Sequence, residues 1–185
     1  SIHFDKNVTD IYTLPDMKYI EKLTVSEENK HMYAYEGNVY YDKTLVIANP
    51  NIHKVIIKEG TTVIGGEAFK ESCAMQIALP DSVTEIQDYA FYNMKNLKRV
   101  VLNSNLKKVG DSAFEGCVSL YSVEFPGLVN TIGSHCFDGC VRLQSVILPN
   151  WITKIEPYTF YGCSSLRNIV VPKLVNTIGE YAFSS

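Results

Sequence analysis

The stretch that decides the fold covers residues 129–149 and reads Val129-Asn-Thr-Ile132-Gly133-Ser-His-Cys136-Phe137-Asp-Gly-Cys140-Val-Arg-Leu143-Gln-Ser-Val146-Ile-Leu148-Pro149. Its phenylalanine recurs at steps of 23 residues, as Phe114, Phe137, Phe160 and Phe183. A fixed period in the twenties is typical of a solenoid, in which each coil can bury its apolar face only against its neighbours. The sequence therefore predicts a stack of similar coils.

Each coil contains two short extended segments separated by turns. The first follows the pattern LxxVxL, formed in the quoted stretch by Leu143, Val146 and Leu148. The end of this pattern alternates with the period of two that is typical of a strand. Pro149 follows at once and marks the end of the strand, because proline cannot donate to a ladder. A second extended piece lies between Val129 and Ile132, and Gly133 permits a tight turn after it.

Stacked coils place equivalent residues above one another, roughly 4.7–4.9 Å apart. Phenylalanines form one predicted inward column, and Cys117, Cys140 and Cys163 form another. Neighbouring coils would bring these cysteines within disulfide range. However, Ser72 and Met94 occupy the same column, and the chain has 5 cysteines, an odd number. Buried free thiols are therefore favoured, and the oxidation state of the column stays open.

The repeated string LxxVxLPxxVxxIGxxAFxxC resembles the BspA-like leucine-rich repeat. It is carried by several segments, among them Ile132-Gly133, Ile178-Gly179, Ala90-Phe91, Ala113-Phe114 and Gly162-Cys163-Ser-Ser-Leu166. The resemblance implies a mainly β solenoid, a leucine-rich-repeat right-handed coil with a parallel sheet on its concave side and short turn or 3₁₀ segments on its convex side. It also implies a bacterial surface or secreted protein of the adhesin or receptor type, without catalytic residues.

The first fifty residues are less regular. Residues 1–51 are interpreted as irregular repeats with an inserted β-hairpin over about 26–50, because two β-rich runs flank Asp42-Lys43. Four tyrosines there, Tyr33, Tyr35, Tyr40 and Tyr41, either cap the stack or form a recognition surface. Residues 52–185 are predicted as regular repeats, starting with an LxxVxL-like strand at Val55-Ile-Ile57 and ending in an incomplete repeat. The whole is expected to be one continuous domain.

Composition excludes several function classes. The 185 residues are 46% hydrophobic and 20% charged, which suits one elongated soluble domain. A net charge of −3 argues mildly against a nucleic-acid partner. No apolar run approaches the roughly 18 residues of a membrane span, and a start at Ser1 without a signal peptide indicates a trimmed or mature chain.

Catalytic motifs are also missing. The 4 histidines are scattered, and neither HExxH nor GxSxG nor a phosphate-binding glycine pattern occurs. The sequence therefore predicts no enzyme, no catalytic residue, no cofactor and no metal site.

The candidate ligand-binding site is the outward side of the concave sheet. Its predicted residues are Val101, Glu124, Ile147, Val170, Arg99, Tyr121 and Arg167. Aliphatic residues make this face more apolar than a solvated sheet requires, which favours a protein-binding surface. The alternative is that valine and isoleucine simply suit strands.

Two functions follow from these observations. The preferred one is a non-catalytic protein-binding or adhesion module at the cell surface or outside the cell, with a protein or glycoprotein ligand such as host matrix. The alternative is a structural spacer or self-assembling unit of a larger surface protein, associating through the uncapped C-terminal end.

Overall fold

A computed structural model describes residues 1–9, 11 and 20–185. These residues form a mainly β solenoid of about 7 turns, without a helix in the described part of the chain. They form sixteen short strands, which in chain order are β1 (Ile2–Phe4), β2 (Leu23–Val25), β3 (Met32–Tyr35), β4 (Asn38–Tyr41), β5 (Thr44–Ile47), β6 (Val63–Ile64), β7 (Gln76–Ala78), β8 (Glu85–Ile86), β9 (Arg99–Val101), β10 (Lys108–Val109), β11 (Ser122–Glu124), β12 (Thr131–Ile132), β13 (Ser145–Ile147), β14 (Lys154–Ile155), β15 (Asn168–Ile169) and β16 (Thr177–Ile178).

Both extended segments of the predicted coil form parallel ladders. The LxxVxL segments build a five-stranded sheet in the order β15-β13-β11-β9-β7. The two-residue segments build a second ladder, β12-β10-β8-β6, and a separate pair, β14-β16. In the five-stranded sheet the central residue is buried and its neighbours face outward, as with Val123 between Ser122 and Glu124. The predicted mainly β solenoid with a parallel sheet is confirmed.

The phenylalanine column runs through the core as predicted. Five successive ring pairs stack with centroids 4.9–5.6 Å apart, from Phe69 to Phe183. All but Phe183 are almost fully buried. Burying one such side chain contributes roughly 1.5–3 kcal/mol, so the column is a main source of cohesion between coils.

In the described part of the chain, turns and not helices connect the two ladders within each coil. Two residues in most coils have a left-handed backbone, such as Tyr89 (φ 60°) with Asn93 (φ 57°) and His135 (φ 55°) with Gly139 (φ 69°). A 3₁₀-helix cannot continue through such a residue, which explains why each corner is a succession of turns. Gly133 begins one corner, where an added Cβ would lie 2.5 Å from the backbone nitrogen of Asp111 in the preceding coil.

The N-terminal part contains an antiparallel meander. β3, β4 and β5 pair in sequence, and β5 then pairs in parallel with β6, which joins the meander to the second ladder. Glu36 (φ 48°) and Gly37 (φ 77°) form the two-residue turn between β3 and β4, with the positive angles that a tight hairpin needs. The sequence pattern predicts β4 and β5 but not β3.

The strand expected at residues 55–57 is not formed. Ile57 is buried and Ile56 is exposed, so the alternation persists. The only bridge there joins Lys54 to Gln76. The adjoining coil has one residue fewer, since Phe69 and Phe91 are 22 residues apart, and this shortening falls between the two segments that would have to pair.

Candidate functional site

The outward side of the five-stranded sheet, which we call the strand face, carries the predicted ligand-binding residues. Cross-strand register places Gln76 beside Arg99, Arg99 beside Ser122 and Ser122 beside Ser145. A second exposed column contains the predicted apolar residues and one carboxylate, namely Ala78, Val101, Glu124, Ile147 and Val170. The fold therefore brings Arg99, Val101, Glu124 and Ile147 onto one surface.

The apolar members of this column are well exposed. Ile147 is 58% exposed and Val170 is 82% exposed, whereas the adjacent inward residue Val146 is 3% exposed. Val170 follows directly after β15, so it extends the column by one coil. Such exposure serves no packing in the described chain, because the burial of the coil is completed by the inward column.

Tyr121 and Arg167 lie where the chain enters the sheet. Each precedes a strand, and their backbone N–H groups donate to the carbonyls of Lys98 and Gln144 in the preceding coils. Both side chains are exposed. Together with Lys98 and Arg99 they form the N-terminal edge of the strand face.

The strand face has an uneven charge. Its N-terminal edge carries Lys98, Arg99 and Arg167, and Glu124 is the one carboxylate in the five strands. Within residues 1–9, 11 and 20–185, no ion pair involves any of these three basic side chains. They are therefore free to meet an acidic partner.

Three further exposed residues were not predicted from the sequence pattern. Leu128, Trp151 and Leu174 each lie two residues after a proline, at the corner that follows the five-stranded sheet. We call this column the corner ridge. Trp151 is the single tryptophan of the chain and is 66% exposed. The sequence signal that could have revealed these residues is a contrast in polarity, because the equivalent position holds polar residues in earlier coils and apolar residues here.

Those polar residues have a structural function. The Ser82 hydroxyl donates to the carbonyl of Thr61 at 2.7 Å, and the Asn105 amide donates to the carbonyl of Asp81 at 2.9 Å. Both bonds join a corner to the preceding coil. The apolar side chains of the corner ridge make no such bond, because they have neither donor nor acceptor.

The cysteine column is buried, and its thiols have low reactivity. All five cysteines are free thiols. The thiols of Cys117, Cys140 and Cys163 donate to the carbonyls of Phe91, Phe114 and Phe137 at 3.1–3.2 Å. Burial raises the pKa of Cys117 and of Cys163 to about 12. Because the thiolate is the reactive form, these thiols are poor nucleophiles and metal ligands at neutral pH.

The tyrosines of the meander pack against their own chain. Tyr40 is fully buried, and Tyr33 stacks on it with ring centroids 5.3 Å apart. The ammonium of Lys58 lies 4.2 Å from the centroid of Tyr33 and 5.7 Å from that of Tyr35. This cation–π contact, provided by the following coil, favours the capping interpretation of the cluster.

Other kinds of site are not apparent in the described residues. They contain no group of three His, Cys, Asp or Glu side chains arranged to hold a metal ion. Nor does the described part of the chain contain a helix that is long and apolar enough to cross a bilayer.

Comparisons with known proteins agree with the repeat architecture. Residues 43–157 match six copies of the family described as BspA type leucine rich repeat region. None of the curated proteins matches the sequence.

Three solved structures are similar. A leucine-rich repeat protein from Eubacterium ventriosum has a TM-score of 0.76 at 23% identity, over 98% of this chain and 57% of that one. The leucine rich repeat protein TpLRR of T. pallidum has a TM-score of 0.63 at 32% identity, over 65% of this chain and 57% of that one. A leucine rich cell surface protein from Faecalibacterium prausnitzii has a TM-score of 0.73 at 24% identity, over 86% of this chain and 41% of that one. The chain thus spans about half the length of these proteins.

Proposed function

The chain belongs to the BspA-type leucine-rich repeat family, and from that premise we propose that it is a non-catalytic protein-binding module that uses the strand face. The single observation that carries the proposal is the exposed column of Val101, Ile147 and Val170 beside unpaired basic residues. Aliphatic side chains exposed in a row are typical of interaction surfaces.

The stack does not need the exposed column for its own cohesion. Each coil is already stabilised by its inward phenylalanine, cysteine and leucine positions and by the two ladders. The exposed column contributes little to this packing. A partner that covers Ile147 and Val170 would remove apolar surface from water, which contributes about 25 cal/mol per Å² before the costs of association.

We further propose a location outside the cell or at its surface, with a protein or glycoprotein ligand. One similar structure is described as a cell surface protein, which supports this location by likeness of fold. Host matrix proteins are suitable first candidates because they are large extracellular proteins that present extended segments. The alternative function, a spacer or self-assembling unit, requires no ligand on the strand face.

The test is capture of the purified chain by immobilised matrix proteins, mucins and glycans. Ile147→Lys places a charge in the exposed column and is expected to weaken capture at least about tenfold, as loss of a central contact does. The matched control is Val141→Lys, an exposed aliphatic outside the five-stranded sheet, which should bind as the parent does.

Two outcomes would contradict the proposal. Equal capture of the two variants would show that the strand face does not bind the ligand. Capture by neither the parent nor the variants, together with self-association in light scattering, would favour the spacer instead. Thermal unfolding of both variants controls for folding, since surface substitutions usually change stability by less than about 0.5 kcal/mol.

A further inference from the structure

In the C-terminal coils the corner ridge follows the strand face along the chain. Ile147 and Trp151 are separated only by the corner that contains Pro149, and Val170 and Leu174 are related in the same way. Val171, between the latter two, is also exposed. Successive coils are about 4.7–4.9 Å apart, so Leu128, Trp151 and Leu174 are direct neighbours. Tryptophan is the residue type most enriched in binding hot spots, and here it is the centre of the ridge.

The basic side chains of this surface lie mainly along one edge. The N-terminal edge of the strand face carries Lys98, Arg99 and Arg167, whereas the corners that hold the apolar ridge carry a single exposed charge, Lys173. In the turn segments, by contrast, several carboxylates form hydrogen bonds within the fold. Asp88 and Asp111 each accept a hydrogen bond from the backbone N–H of the following coil, and Asp138 pairs with His135 at 2.9 Å.

From this arrangement we propose that the ligand of the strand face is an extended polypeptide segment in which acidic and apolar side chains alternate. The inference rests on the proposed function and adds the chemistry and direction of the ligand. The segment runs along the stack, across the strands. Its acidic side chains point to Lys98, Arg99 and Arg167, and its apolar side chains point to the exposed column and the corner ridge.

Spacing supports an extended segment. The coils that contain β9 and β15 are three steps apart, roughly 14 Å. An extended chain advances about 6.6–6.8 Å for every two residues, and its alternate side chains point to opposite sides. Acidic residues at positions i and i+4 are therefore about 13 Å apart, which matches the distance between the coils of Arg99 and Arg167. The residues at positions i+1 and i+3 then face the side of Ile147 and Trp151.

Trp151 makes the proposal directly measurable, because it is the only tryptophan and its emission reports the corner ridge alone. The probe is a synthetic nine-residue peptide of alternating Asp and Leu with Gly-Ser ends. One control peptide has the same composition in two blocks, and a second alternates Lys and Leu. The full chain is titrated with each peptide at two salt concentrations.

The expected result is a saturable blue shift of Trp151 emission with the alternating acidic peptide, at least about tenfold tighter than with either control. Binding should weaken as salt is raised, because exposed charges are screened. Arg99→Glu should weaken it several-fold. Lys95→Glu, which reverses another unpaired basic residue outside the five-stranded sheet, should leave it unchanged.

Several results would overturn the inference. They are equal affinity for the block or basic peptide, binding without a Trp151 shift, and no binding of any peptide. A larger Trp151 shift with phosphatidylglycerol vesicles than with peptide would assign the ridge to a membrane surface. In each case, capture by matrix proteins that depends on Ile147 would still support the proposed function. Failure of the peptide inference can therefore be distinguished from failure of the proposed function.

Discussion

The corner after the five-stranded sheet is built differently in the two halves of the solenoid. In the N-terminal half Ser82 and Asn105 bond to the backbone of the preceding coil. In the C-terminal half the same position holds Leu128, Trp151 and Leu174, which are exposed. The stack tolerates this exchange because its cohesion comes mainly from the inward columns. A repeat position that is polar and bonded to the backbone in the earlier coils thus holds exposed apolar side chains in the later ones.

The largest effect is expected where the stack uses a side chain most. Phe114→Ala removes a fully buried ring between two stacked neighbours and should reduce the free energy of unfolding by about 3–5 kcal/mol. Urea denaturation measures this change. A loss below about 1 kcal/mol would show that the phenylalanine column is not the main source of cohesion.

A glycine pair gives the next largest effect. Gly133→Ala would place a methyl group against the backbone of the preceding coil and should destabilise the stack by about 1–3 kcal/mol. Gly127 has no atom within 4 Å of an added Cβ, so Gly127→Ala is the matched control and should be nearly neutral. Similar unfolding midpoints for the two variants would contradict the close approach of the coils.

The buried thiols predict a dependence of stability on pH. Burial raises the pKa of Cys117 and Cys163 from 9.0 to about 12, so the unfolded chain loses these protons first. Their contribution is fully present below pH 9 and is lost as pH rises toward about 12. Denaturation at pH 8 and pH 10 should show the decrease, and Cys117→Ser with Cys163→Ser should reduce it, while Cys136 and Cys140, whose pKa values burial also raises, maintain part of it. An unchanged slope in the double variant would assign the alkaline loss to other groups.

The smallest effects on stability distinguish a corner residue that bonds to the preceding coil from an exposed residue of the corner ridge. Asn105→Ala removes a hydrogen bond to the preceding coil and should cost about 0.5–1.5 kcal/mol. Trp151→Ala removes an exposed side chain from the equivalent position and should change stability by less than about 0.5 kcal/mol. Equal losses in the two variants would show that the corner ridge, too, serves the stack.

The period of the sequence was sufficient to predict the stack itself. Identical spacing placed Phe91, Phe114 and Phe137 in one inward column, and the alternation at Val123 and Val146 predicted which residues face outward. These features depend only on local patterns that every coil repeats. The burial of the cysteine column followed from the same register.

The parts that escaped prediction depend on neighbouring coils. Asn103, which replaces the usual proline, is buried and donates its amide to the carbonyl of Val83 while accepting from the N–H of Asn105. No local sequence pattern predicts a hydrogen bond to a residue twenty positions away. The missing strand at residues 55–57 has the same origin, since a ladder needs a partner in register. The corner ridge can be recognised only by comparing coils, because the same position holds hydrogen-bonded polar residues in two of them.

The most direct test of the account compares exposed aromatic residues within one molecule by hydroxyl-radical footprinting, with and without a captured ligand. Tyr121 on the strand face is 54% exposed, and Tyr89 in a turn segment is 43% exposed, so both should be modified in the free chain. Binding at the strand face is expected to protect Tyr121 and Trp151 and to leave Tyr89 unchanged. Protection of Tyr89, with Tyr121 and Trp151 still modified, would place the ligand on the opposite side of the solenoid and contradict the strand face as the binding surface.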